Sequence, residues 1–164
     1  MKTLRFAIPL AVAVLCASSL MAAVDAKTSF AALKSLTGTW EGKTPEGKPV
    51  QVSYRVTSGG SALMSEIQGE HEDMITMFHL DGDRLLLTHY CGAGNQPRMV
   101  ATASPDGKVI TFNFLDATNL ESPTAGHMHR MVLTMVDADH HTEEWVFASD
   151  GKEMTKVFDL RRAK

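Results

Sequence analysis

The sequence predicts an all-β fold: a ten-stranded antiparallel up-and-down barrel with a short N-terminal helix closing one end. Three observations predict it. From residue 27 onward apolar and polar residues alternate with period two almost throughout, the signature of half-buried strands. Short turn clusters such as PEGK, TSGGS, LDGD, SPDGK and SDGK punctuate the alternation and join consecutive runs as hairpins. Closing such a meander on itself is the simplest way to leave no unpaired edge.

The elements follow in order. Residues 1–26 read as a secretory signal peptide: Lys2 and Arg5 precede an apolar run from Phe6 to Leu20, and Val24-Asp25-Ala26 offers a cleavage point before Lys27. The run is shorter than the roughly twenty residues a membrane helix needs. Leu15 stands where a lipid-anchor motif around Cys16 wants a small residue. The expected product is a periplasmic or secreted chain, residues 27–164, forming one domain with no transmembrane segment. Phe30, Leu33, Lys34 and Leu36 then show helical spacing, which predicts a helix over 28–36. Strands are predicted at 38–43, 49–57, 61–68, 73–80, 84–91, 97–104, 108–115, 127–136, 141–148 and 152–161. A three-residue loop at Ala138, Asp139 and His140 sets Met135 against Glu143, Leu133 against Trp145 and Met131 against Phe147. An Asp150-Gly151 turn sets Phe147 against Met154 and Trp145 against Lys156. The large apolar groups of this hairpin pair collect on one face, the expected lumen.

Charge and cysteine content narrow the function classes. Without Lys2, Arg5 and Asp25 the chain carries fourteen basic and eighteen acidic residues, a net charge of −4, which argues against nucleic acid as a partner. Cys91 alone remains, so no intramolecular disulfide can form, and the thiol is buried, paired with another chain, or reactive. Nucleophile elbow, phosphate loop and dinucleotide fingerprint are all absent from the sequence.

Alternation also sorts the connections between two rims. The helix enters at the rim carrying TSGGS, LDGD, SPDG and DADH, and closes it, so His79, His140 and His141 belong to the closed end. The other rim is the expected mouth and gathers the stretch THYCGAGNQPRM with the region after Asp116. Its candidates are His71, His89, Tyr90, Cys91, Asn95, Gln96, Arg98, His127 and His129, with Trp145 on the lumen wall below. His127 and His129 share the lumen face of Met131 by period two. His89 faces either lumen or exterior, depending on the length of the LDGD loop. Asn95, Gln96 and Arg98 serve equally well to satisfy backbone groups of a glycine-rich turn. The pair His127-x-His129 is a weak metal signal alone: a transition-metal site takes three or four ligands, the further supply would be His89, His71 or Cys91, and Arg130 to Val136 hold no glutamate such as follows the pair in cupins, so no metal is expected.

A short helix running into Gly38-Thr39-Trp40-Glu41-Gly42 at the start of a barrel resembles the opening of calycin proteins: lipocalins, fatty-acid-binding proteins and the nitrobindin-like group. It is also similar to uncharacterised exported bacterial proteins of that shape. The resemblance implies that Trp40 packs at the closed end beneath the helix. Nitrobindin-type haem proteins continue with Gly-x-Gly and Tyr-Pro, where this chain reads Lys43-Thr44-Pro45-Glu46-Gly47, so no cofactor is expected. The expected function is binding of a small, largely apolar or amphipathic molecule in the lumen, its polar end held at the rim by His127, His129 and Arg98. The alternatives are a calycin-like isomerase or lyase using a mouth histidine as acid/base, and a haem or metal barrel.

Overall fold

The computed structural model describes residues 24–69 and 73–164. Most of the expected signal peptide, residues 1–23, and the candidate His71 lie outside the described residues. Helix α1 spans Ala26–Lys34, two residues earlier at each end than its apolar spacing suggests. Asp25 caps it by accepting the Thr28 amide at 2.7 Å, and the last turn tightens through Leu36 and Thr37 amides bonding back to Leu33 and Lys34.

Ten strands follow: β1 Gly38–Lys43, β2 Pro49–Thr57, β3 Ala62–Gln68, β4 Asp73–Asp81, β5 Arg84–Tyr90, β6 Gln96–Ala103, β7 Val109–Thr118, β8 His127–Asp137, β9 His140–Ser149 and β10 Lys152–Arg162. Each pairs antiparallel with its neighbours in sequence, and β1 pairs with β10 to close the barrel. Gly82, Gly107 and Gly151 turn three of the hairpins at φ of 62°, 70° and 73°, a backbone region glycine enters freely.

Helix α1 crosses one end of the barrel, touching β2, β4, β5 and β6. Phe30, Leu33 and Leu36 bury their side chains there over Trp40, which is fully buried and donates its indole N–H to the Leu36 carbonyl at 2.7 Å. The Arg162 guanidinium lies 4.3 Å from the Trp40 ring and donates to the carbonyls of Thr37 and Ser35. The C-terminal strand thus ties the helix onto its end of the barrel. Below it the lumen is filled by Leu63, Phe78, Leu87, Met99, Phe112 and Met131, all fully buried.

The β9–β10 register is the expected one, with Met154 opposite Phe147 and Lys156 opposite Trp145. The β8–β9 register differs by two residues: Met131 faces Trp145, Leu133 faces Glu143 and Met135 faces His141. Only Ala138 and Asp139 form the turn, and an irregularity between Met135 and Asp137 takes up the slack. A shift of two leaves the inward set of this region unchanged. A second irregularity, between Met128 and Arg130, has the opposite consequence. It advances β8 by one residue against β9, so Met128 pairs with Phe147 while His127 pairs with Ala148.

Candidate functional site

A cavity of about 620 Å³ opens at the rim opposite α1. Ile67, Met74, Met128, Phe147, Met154 and Phe158 form its apolar wall, His89 and Trp145 line it from β5 and β9, and Glu46, Cys91, Gly92 and Ala93 lie around it. Lys156, the register partner of Trp145, lines both this cavity and a smaller one of about 290 Å³ beside it.

His89 is the polar group set deepest in that wall. Strand alternation puts Leu85, Leu87 and His89 on one face, and all three are buried. Its Nδ1 lies 2.9 Å from the Thr76 hydroxyl across the β4–β5 pair, and its ring packs 4.8 Å from Trp145. Its Nε2 is sealed from solvent and has no hydrogen-bond partner among the described residues. Burial lowers the imidazole from 6.5 to about 4, the charge of Glu143 opposing the shift, so His89 is neutral at pH 7.

His89 ends a row of polar side chains that crosses four strands. Tyr54, Ser65, Thr76 and His89 are successive register partners on β2, β3, β4 and β5, each buried, in positions otherwise occupied by apolar residues. At the other end Tyr54 donates its hydroxyl to Glu143, and the Trp145 indole donates to the second Glu143 oxygen at 2.8 Å. Burial, then the Glu143 charge, push the Tyr54 phenol well above its ordinary value. His141 Nε2 stands 3.5 Å from Glu143, and its ring meets the Trp40 ring edge-on at 4.3 Å. The row and the Glu143 cluster therefore meet at Trp145, whose ring touches His89 and whose N–H is held by Glu143.

The structure divides the sequence candidates. His89, Cys91 and Trp145 line the cavity. Asn95 is buried but works as a strap, its side-chain amide donating to the Gly126 carbonyl at 2.8 Å and joining the loop after β5 to the segment before β8. Gln96 bonds Thr118 and the Gly94 carbonyl. Tyr90 is half-exposed on the outer face opposite Ile75. Arg98 points outward as well and forms a two-pronged ion pair with Asp116, 2.6 Å at Nε and 2.5 Å at Nη2, that lowers the aspartate.

Neither His127 nor His129 lines the cavity, where the sequence predicts a lumen-facing pair. Met128 lines the cavity, so its neighbour His127, opposite Ala148, points to the other side of the sheet; the bulge has reversed the alternation that Met131 implied. The His127 ring packs at a tilt 4.6 Å from Phe114, Nδ1 donates to the Ala125 carbonyl at 2.7 Å, and Nε2 receives His129 at 3.4 Å. His129 lines a separate surface cavity with Asn113, Phe114, Arg130 and Glu153. Tyr54, Ser65, Thr76 and Glu143 escaped the sequence reading as site residues. Their available signal was a single polar residue interrupting an inward apolar alternation, as Tyr54 does after Val50 and Val52.

No family model matches the chain, and no curated protein sequence does. Among solved structures it is similar to a protein of unknown function from the DUF3598 family of Nostoc punctiforme, at 10% identity and a TM-score of 0.55, covering 80% of this chain and 49% of that one. It is also similar to Rv2717c from M. tuberculosis, at 19% identity and a TM-score of 0.54, covering 83% of this chain and 98% of that one. The chain therefore spans about half the length of the first and nearly all of the second. At these identities the likeness is one of fold.

Proposed function

We propose that the protein is a calycin-like binder of a small, largely apolar molecule, exported after removal of residues 1–26, with its ligand in the lumen cavity rather than on the outer wall. One observation carries the reading: a cavity of about 620 Å³, inside the range of small-molecule sites, walled by thioethers and aromatic rings and open at the rim opposite the helix. The thioethers of Met74, Met128 and Met154 suit an adaptable apolar wall. Lys156 and Glu46 are the charged groups along it. Of the sequence candidates, His89, Cys91 and Trp145 lie along it, whereas His127, His129 and Arg98 do not. An environment-sensitive hydrophobic dye should bind saturably and be displaced by small aromatic or aliphatic compounds. Phe147→Arg, which places a charge in the wall, should abolish binding in a folded protein; unaltered binding rejects the cavity as the site.

His89 favours a second reading, a haem barrel. Its Nδ1 is tied to Thr76 while Nε2 has no partner among the described residues, the arrangement of an axial imidazole whose other nitrogen is oriented by a neighbour. Among the described residues no group of three His, Cys, Asp or Glu donors assembles, so a single-ligand porphyrin fits this donor set better than a bare ion. When bound, haem would supply redox or gas-binding chemistry. Titration with haemin should then give a Soret band that His89→Ala removes, and a featureless titration rejects haem.

A further inference from the structure

We infer, resting on the cavity reading above, that His89 meets the ligand as a hydrogen-bond donor through Nε2–H, and that the ligand's buried end is a neutral carbonyl oxygen. The argument is one of proton accounting. Thr76 and His89 are both fully buried, and among the described residues the Thr76 hydroxyl has a single hydrogen-bond partner, His89 Nδ1 at 2.9 Å. A hydroxyl has one proton to give. If Nδ1 carried the imidazole proton and donated to Thr76, the hydroxyl proton would be buried without an acceptor and Nε2 would be a bare, buried lone pair. If the hydroxyl donates to Nδ1, the proton lies on Nε2, and one unmet donor remains in place of two unmet groups. Each unmet buried group is unfavourable, so the second arrangement prevails.

That remaining donor belongs to a residue lining the cavity. A ligand oxygen reaching it needs only a small displacement of the lining, for which flexible thioethers are suited. Charge then selects among acceptors. Glu143 is close enough to act electrostatically on His89, and it holds the indole of Trp145 against which His89 packs. A carboxylate head at Nε2 would meet like charge in a water-poor setting, whereas a ketone, aldehyde, ester or amide oxygen would not.

Two measurements test this. Nitrogen-15 NMR of histidine-labelled protein without ligand should show His89 as the Nε2–H tautomer, and Thr76→Val should weaken that preference; a Nδ1–H tautomer in the wild type overturns the inference whatever binds. Displacement of the hydrophobic dye by acetophenone and by its hydrocarbon isostere α-methylstyrene then isolates the oxygen. Acetophenone should bind about three- to tenfold more tightly, the worth of one net hydrogen bond, benzoate should bind more weakly than acetophenone, and His89→Leu should erase the difference between the isosteres. Equal binding of the two isosteres overturns the carbonyl assignment and leaves the cavity reading standing. Binding of neither overturns the cavity reading and the assignment together.

Discussion

His89 sits where charge is hardest to hold, and this has a measurable consequence. Burial places its folded pKa at about 4 against an ordinary 6.5. As pH falls through 6.5 the unfolded chain takes up a proton that the folded chain refuses until about pH 4, so stability falls with pH across that window, by about 3 kcal/mol in all. His89→Leu should remove this component. Between pH 7 and pH 4 the urea midpoint of the wild type should therefore fall further than that of His89→Leu, and parallel curves would show that His89 does not titrate in this way. Glu143 makes the complementary prediction. It accepts from Tyr54 and Trp145 within the closed lumen, so Glu143→Leu strands two buried donors and should lower stability by about 3–5 kcal/mol. Glu143→Gln keeps an acceptor and should lower it less, as equilibrium unfolding would show. The individual members of this network leave a trace in the sequence, as polar intrusions on inward faces, that the sequence reading passes over. Their meeting leaves none, because Tyr54 and Glu143 lie on strands that are brought together only across the lumen.

Within the strands, alternation and turn glycines mark the elements closely: the bounds of β1 and β2 follow the sequence reading to the residue, and β9 and β10 to within one. What alternation cannot register is an extra residue accommodated against a partner strand. The bulge between Met128 and Arg130 is such a case. It puts Met128 rather than His127 at the cavity and leaves the two histidines against Phe114. His129 is the extra residue, so deleting it should make the pairing continuous with Met128 still opposite Phe147 and His127 still opposite Ala148; dye binding should be retained in a folded protein, and its loss would contradict this reading of the bulge. Two glycines test the close approaches between elements. A Cβ at Gly42 on β1 would stand 2.1 Å from the Asp159 carbonyl oxygen on β10, backbone that cannot yield without opening the pair that closes the barrel. A Cβ at Gly126 would stand 2.5 Å from the Phe147 ring tip, a side chain that can rotate. Gly126→Ala should therefore fall in the overpacking range of about 1–3 kcal/mol, and Gly42→Ala should exceed it. The reverse order in thermal unfolding would contradict the rigidity of the seam.

Across the whole molecule, the closed sheet leaves two ends to manage, and the sequence treats them differently. One end is sealed: α1 lies across it, Trp40 supports the helix from below, and Arg162 from the last strand grips the carbonyls of Ser35 and Thr37 while pairing with Asp139 beside the β8–β9 turn. The other end keeps its space open between thioethers and aromatic rings. This asymmetry predicts that the two ends can be loosened separately. Arg162→Ala removes a cation stacked on Trp40 together with several hydrogen bonds, and should lower stability by about 2 kcal/mol. Because α1 buries Phe30 and Leu33 independently of Arg162, the helix should remain docked but exchange its amide hydrogens faster, while amides of β9 near Trp145 keep their protection. Dye affinity at the cavity should stay unchanged, since its wall is built by other residues at the opposite rim. A parallel loss of protection at both ends, or a fall in dye affinity matching the fall in stability, would mean that the helix and the cavity respond as one cooperative unit and that the sealed end sets the shape of the open one.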